Sequence, residues 1–141
     1  MTPKLTEAEL AQLLQAPEIG VLCTVDSAGR PEGSPIWFEA QPGRIYVHVD
    51  AASKKARNIR GNPNVSLTVD TRVAPYRGAV LHGVARELPP DQGILRRTAI
   101  RYLGPEMGEN YLVMTSAAAA ASTLLEIAIT GRFTWDYAKG F

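Results

Sequence analysis

Ile45-Tyr46-Val47-His48-Val49-Asp50, followed at once by Ala51-Ala52-Ser53-Lys54-Lys55-Ala56-Arg57-Asn58-Ile59-Arg60-Gly61-Asn62-Pro63, decides how this chain is read. The residues from Ile45 to Val49 predict an apolar strand. The residues after it predict a short basic helix that begins where the strand ends. A helix N-terminus leaves backbone N–H groups unpaired and carries the positive end of the helix dipole, so lysines placed there make a natural seat for a phosphate. On a helical wheel Ala52, Ala56 and Ile59 form an inward stripe, and Lys55 projects about 60° from its centre. Lys54 and Arg57 point more nearly outward. A lysine flanking a buried seam needs an anionic partner or a route to solvent.

The flanking segments read mostly as strands. Upstream, Thr6 and Glu9 have the spacing of a capping box, Leu10, Leu13 and Leu14 supply an apolar stripe, and Pro17 stops that helix. Ile19 to Val25 is rich in β-formers, Asp26 to Arg30 makes a turn, and a second strand is expected over Ser34 to Glu39. Downstream, Val65, Leu67 and Val69 alternate with Ser66, Thr68 and Asp70, the pattern of a strand with one polar face. Tyr76 to Leu88 predicts a longer strand in which Gly78 and Gly83 mark bulges or close backbone approach. Asp91 caps an expected helix through Leu95, Ala99 and Tyr102, ended by Gly104-Pro105, and a further helix is expected over Asn110 to Ala121. Leu124 to Trp135 predicts the last strand, with a bend at Gly131. The sum is a mainly β fold with short helices: about six strands in a small barrel or strongly curled sheet.

The chain's 141 residues suit one compact domain, 1–141, with a core of its own. A formal net charge of +1 gives no global field for nucleic acid or an acidic membrane. The basic residues are local, which suits a small anion better than a polymer. The single cysteine, Cys23, excludes an intramolecular disulfide and fits a reducing cytoplasm; its place in an apolar strand predicts a core residue. No apolar window reaches membrane-spanning length, and the expectation is a soluble cytoplasmic protein.

Several chemistries have no residues to carry them. No His, Cys, Asp or Glu cluster has metal-ligand spacing, and His48 and His82 fall on different expected strands. There is no nucleophile elbow, no glycine-rich phosphate loop and no prominent carboxylate pair. No catalytic side chain is assigned, and any difficult chemistry is expected to belong to a bound cofactor.

In order and spacing, Ile19–Val25, Gly29-Arg30-Pro31, Ser34-Pro35-Ile36-Trp37-Phe38 and the run from Ser53 to Val65 resemble the pyridoxamine 5′-phosphate oxidase-like superfamily of flavin-binding split barrels. Tyr76 to Ala85 and the closing Phe133-Thr134-Trp135-Asp136 are similar to its flavin/deazaflavin oxidoreductase branch, many of whose members use coenzyme F420. The resemblance implies a homodimer of six-stranded antiparallel split β-barrels with cofactor sites at the subunit interface. It implies an oxidoreductase that transfers hydride between reduced F420 and a small organic substrate. FMN is the alternative cofactor, and a non-catalytic F420 or flavin carrier the alternative role. Carried over by position, Lys55 and Asn58 match the cofactor-binding Lys-x-x-Asn, and Ser53 and Lys54 match the phosphate-facing helix start. Ser34, Pro35, Ile36 and Trp37 match the strand beside the flavin or deazaflavin ring, and Trp135 an aromatic that covers the ring from the other subunit. The C-terminal arginines of the vitamin oxidase have no clear equivalent.

Each of these residues has a plainer reading. Lys54, Arg57 and Arg60 fit a solvated helix face, Asn58 a bond to nearby backbone, and Trp37 and Trp135 core anchors. His48 and His82 read as strand residues at a dimer seam or in solvent.

Overall fold

The structure, a computed structural model, describes residues 3–140. Seven strands form one antiparallel sheet: β1 Gly20–Val25, β2 Pro31–Ile36, β3 Glu39–Gln41, β4 Arg44–Asp50, β5 Asn64–Asp70, β6 Arg77–Leu88 and β7 Ser122–Asp136. Their order across the sheet is β2-β1-β5-β6-β7-β4-β3. The helices are α1 Glu7–Gln15, α2 Lys54–Gly61, α3 Gln92–Leu103, α4 Pro105–Met114 and α5 Ser116–Ala120.

The expected six-stranded barrel is corrected to seven strands in an open sheet, with β2 and β3 as its ends. The extra strand arises because the stretch expected to run from Ser34 to Glu39 is interrupted. Phe38 is fully buried, and its main-chain groups are taken by α3 rather than by a neighbouring strand. Its N–H donates to Tyr102 Oη at 3.3 Å, and its carbonyl accepts from Arg101 Nη1 at 2.6 Å. The chain therefore leaves β2 at Ile36 and re-enters the sheet at Glu39, pairing with β4 from Glu39↔Tyr46 to Gln41↔Arg44. Pro31 and Pro35 lie in β2, an edge strand, where a missing N–H costs the ladder least.

The capping box at α1 is present: Thr6 Oγ1 accepts from the Glu9 N–H at 3.2 Å, and Glu9 Oε1 accepts from the Thr6 N–H at 2.8 Å. Leu10, Leu13 and Leu14 face the core, where they meet Leu22, Phe38, Ile45, Val47, Leu67, Val69 and Leu125. Cys23 departs from expectation. It lies half-buried on the face of β1 opposite Leu22, because strand side chains alternate. The expected helix over Asn110 to Ala121 is two helices with an earlier start. Pro105 opens α4 directly after Gly104, and Thr115 separates α4 from α5 with φ −107° and ψ 17°.

Gly83 is a site of close approach. The β6–β7 register shifts between His82↔Gly131 and Gly83↔Ile129, leaving Thr130 as the extra residue of a bulge. A Cβ at Gly83 would lie 2.7 Å from the Ala128 carbonyl oxygen, so only glycine fits beside that backbone.

Candidate functional site

The strand-to-helix junction takes the expected form, with a shifted boundary. Ser53 caps α2, its Oγ accepting from the Ala56 N–H at 3.3 Å, and the buried face consists of Ala56, Asn58 and Ile59. Ala52 precedes the cap and is exposed, so it leaves the expected inward stripe and Asn58 takes its place.

The basic residues of α2 separate into different environments. Lys54 Nζ lies 2.8 Å from Glu32 Oε1 and 4.0 Å from Asp26 Oδ2. Arg57 Nη1 donates to the Ala52 carbonyl at 2.7 Å. Arg60 makes a two-pronged pair with Glu87, at 2.6 and 2.9 Å, and donates to the Ala51 carbonyl at 2.8 Å. Lys55 alone of this group has no hydrogen-bond or ion-pair partner among the described residues.

Lys55 lines a cavity of about 340 Å³ bounded by the end of β2, the outer face of β4, the start of α2, and helices α3 and α4. Ser53, Ile36 and Trp37 share this cavity. Four of the sequence-predicted residues are thus brought together by separate elements. The Trp37 indole stacks on the Tyr102 ring at 5.0 Å and 5°, while the Tyr111 ring lies 5.2 Å away, tilted by 51°. A flat aromatic wall therefore faces a site that also holds an unpaired ammonium.

The remaining predicted residues lie elsewhere. Lys54 and Asn58 line a second, polar cavity of about 690 Å³ with Asp26, Arg30 and Arg57. Asn58 is 8% exposed; its Nδ2 donates to Thr24 Oγ1 at 3.0 Å and to Glu32 Oε1 at 3.3 Å. The Lys54 ammonium, assisted by the Asn58 amide, holds the Glu32 carboxyl below the usual carboxylate range. Ser34 and Pro35 continue β2, Ser34 half-buried and Pro35 exposed, and neither lines the first cavity. Trp135 pairs across β6–β7 with Gly78, where a Cβ would come within 2.5 Å of its ring, and it packs 5.9 Å from Phe133.

Tyr46, His48, Thr98 and Tyr111 also line the first cavity and are not among the ligand contacts the sequence predicts. The alternation of β4 carried the signal for two of them, since Ile45, Val47 and Val49 point to the core and leave Tyr46 and His48 on the opposite face. His48 Nε2 accepts from the Asp91 N–H at 3.1 Å at the start of α3. Burial pushes the His48 imidazole below its usual range, with Asp91 and Glu39 pulling the other way. Thr98 follows from the apolar stripe of α3, which places it next to Leu95 and Ala99. Tyr111 lies in α4, which starts at Pro105, five residues before the helix start the sequence predicts.

Among the described residues no group of three or more His, Cys, Asp or Glu could hold a metal ion. None of their helices is long and apolar enough to cross a membrane.

The fold has counterparts in known proteins. A conserved hypothetical protein of Mycobacterium tuberculosis is 26% identical over 96% of this chain and 87% of its own, with a TM-score of 0.79. An F420 reductase is also 26% identical, over 92% of this chain and 98% of its own, with a TM-score of 0.76. A FAD-binding protein of Mesorhizobium loti is 20% identical over 95% and 96% of the two chains with a TM-score of 0.68, a likeness of fold. The family model for pyridoxamine 5′-phosphate oxidase matches residues 6–136, nearly the whole length, and the chain belongs to that family.

Proposed function

We propose that the chain is an oxidoreductase that binds coenzyme F420 in the cavity shared by Lys55, Ser53, Ile36 and Trp37. The observation that carries this reading is the Lys55 ammonium, left without a partner in the wall of a cavity with an aromatic side. A lysine and a phosphate charge about 4 Å apart attract by about 4 kcal/mol at an effective dielectric of 20, before desolvation. The helix terminus adds about 0.3–1 kcal/mol, so the lysine dominates. Ser53 fixes the first turn of α2 through its cap, and Trp37, held flat by Tyr102, offers a face to a planar ring. When bound, the deazaflavin would supply two-electron hydride transfer, from its reduced ring to an oxidised organic substrate. The side chains here bind, orient and exclude water; none is placed as a covalent nucleophile.

The choice of F420 rests on the likeness to the F420 reductase. The cations expected to meet a longer anionic tail are engaged elsewhere, Lys54 with Glu32 and Arg60 with Glu87. A single free ammonium in the cavity suits FMN equally well, and this favours FMN as the second reading. In both readings the site is completed by a second copy of the chain, which brings Trp135 to the ring. Trp135 lies outside the cavity within its own chain, as such a role requires.

Titration of the purified protein with F420 and with FMN, followed by absorption and fluorescence, tests the proposal. F420 is expected to bind the native chain, and Lys55→Ala to weaken it by about 1.5–3 kcal/mol, the range for hydrogen bonds to charged groups. FMN saturation without F420 affinity reverses the cofactor order, and unchanged affinity in a folded Lys55→Ala protein removes Lys55 from the site. A screen with reduced F420 separates an enzyme from a carrier, which binds without turnover.

A further inference from the structure

We propose that the Thr98 hydroxyl, turned about χ1 toward the cavity its residue lines, reads the polar edge of the planar ring bound beside Trp37, making Thr98 a specificity-determining residue on α3; this rests on the cofactor reading above. A threonine in a helix meets its hydroxyl's needs either in solvent or at a carbonyl one turn back. Thr115, at the C-cap of α4, takes the second course, its Oγ1 donating to the Tyr111 carbonyl at 2.7 Å. Thr98 takes neither: its Oγ1 is buried and has no hydrogen-bond partner. Leaving such a hydroxyl unsatisfied is destabilising. Among the described residues the other buried side-chain atom in this state is Arg101 Nε, and Arg101 does not line the cavity.

Thr98 shares its cavity with two further donors. Lys55 is unpartnered. His48 accepts the Asp91 N–H at Nε2, so in the neutral ring the proton sits on Nδ1, for which no acceptor is found among the described residues. The one carboxylate in the lining, Asp50, accepts the Ala52 N–H through Oδ1. Thr98, His48 and Lys55 thus each bring a donor without a partner to the lining, and the Trp37 ring, with the Tyr111 ring tilted 51° to it, lies beside them. The chemistry that satisfies this set is a planar heterocycle with carbonyl or ring-nitrogen acceptors along one edge and an anionic group at one end. A hydroxyl can also turn and accept a ring N–H, which a valine of the same shape cannot.

The test uses the full chain with Thr98→Val, Thr98→Ser and Lys55→Ala, titrated with F420 and FMN, beside thermal unfolding without cofactor. Thr98→Val is expected to melt no lower than the native protein, because the orphaned hydroxyl is gone, yet to bind the cofactor about three- to tenfold more weakly. Thr98→Ser restores affinity to within about twofold, and the absorption band of the bound ring shifts in the valine variant but not in the serine one. Native affinity and an unshifted band in Thr98→Val overturn the inference, as does weaker binding that Thr98→Ser does not restore. Lys55→Ala with native affinity overturns the phosphate assignment while leaving the Thr98 comparison to be read by itself. A native chain that binds neither cofactor overturns both.

Discussion

Lys54 and Lys55 are adjacent in the chain and face different cavities. Lys54 Nζ sits 2.8 Å from Glu32 in the polar cavity beneath the Asp26–Arg30 turn, and Lys55 lines the aromatic cavity without a partner. One helical step of about 100° separates them, enough to give two like charges different work. Lys54→Ala is therefore expected to leave cofactor affinity within about twofold, and its solvated pair carries little stability. The Glu32 carboxyl should titrate closer to its ordinary range in that variant, because the Lys54 hydrogen bond is the largest cause of its lowering. Carboxylate NMR checks this, and a large loss of cofactor affinity would move Lys54 into the site.

Asn58 gives the opposite pattern. It ties α2 to β1 through Thr24 and to β2 through Glu32, from a buried position. Asn58→Ala removes the donor and strands the Thr24 hydroxyl, costing about 1–3 kcal/mol. Denaturant unfolding should show that loss, with affinity falling less than in Lys55→Ala. A variant of native stability and much reduced affinity would restore Asn58 to direct contact with the ligand.

The contrast shows what the sequence could and could not carry. A 3.6-residue wheel places Lys55 beside a buried seam, and that geometry survives the shift of the helix start to Lys54. It cannot separate a buried asparagine that holds two strands from one that contacts a ligand, because both give the same Lys-x-x-Asn spacing. The alternation in β4 and β5, the capping boundaries of α1 and α3, and the glycine approach in β6 were all legible from local rules. The break at Trp37-Phe38 was not. It depends on Arg101 and Tyr102, more than sixty residues away, which take the main-chain groups of Phe38. Without that contact on view, Ser34 to Glu39 reads as an uninterrupted strand, and the route of Trp37 into the cavity is hidden.

His48 predicts a pH dependence. Burial holds its folded-state pKa below the ordinary histidine value of about 6.5. Between those two values the unfolded chain binds the extra proton and the folded chain does not, so stability falls as pH drops from about 6.5 through the folded pKa. Above about 6.5 the contribution is fully present. Protonation also removes the acceptor for the Asp91 N–H and places positive charge at the N-terminus of α3; the Asp91 and Glu39 carboxylates and the Arg97 guanidinium paired with Glu39 are the nearby charges. Unfolding free energies of the native protein and His48→Gln, measured from pH 5 to 8, should diverge below about 6.5, with only the native protein losing stability in that window. Parallel curves would mean that His48 titrates alike in both states.

Arg101 closes the scaffold around Trp37, and its loss should be felt at a distance. Its guanidinium donates to the Phe38 carbonyl at 2.6 Å, to the Leu14 carbonyl at 2.7 Å and to the Ala16 carbonyl at 2.6 Å. It also sits 4.9 Å from the Phe38 ring centroid and 5.2 Å from that of Tyr102. Two of those carbonyls belong to the end of α1, where the helix has no donors of its own and a cation is favoured. One side chain therefore caps α1, fixes the break between β2 and β3, and backs the Tyr102 ring on which Trp37 stacks. Arg101→Leu is expected to cost about 3 kcal/mol or more, since three acceptors lose a charged donor together. Arg101→Lys keeps the charge but not the planar fork, so it should recover only part of the loss. Near-ultraviolet circular dichroism should show the Trp37 signal weakening in both variants, and cofactor affinity should fall with it as the aromatic wall loosens. If Arg101→Lys instead matched the native protein in stability and in that signal, the charge alone would suffice, and the fork geometry would not be what holds the wall in place.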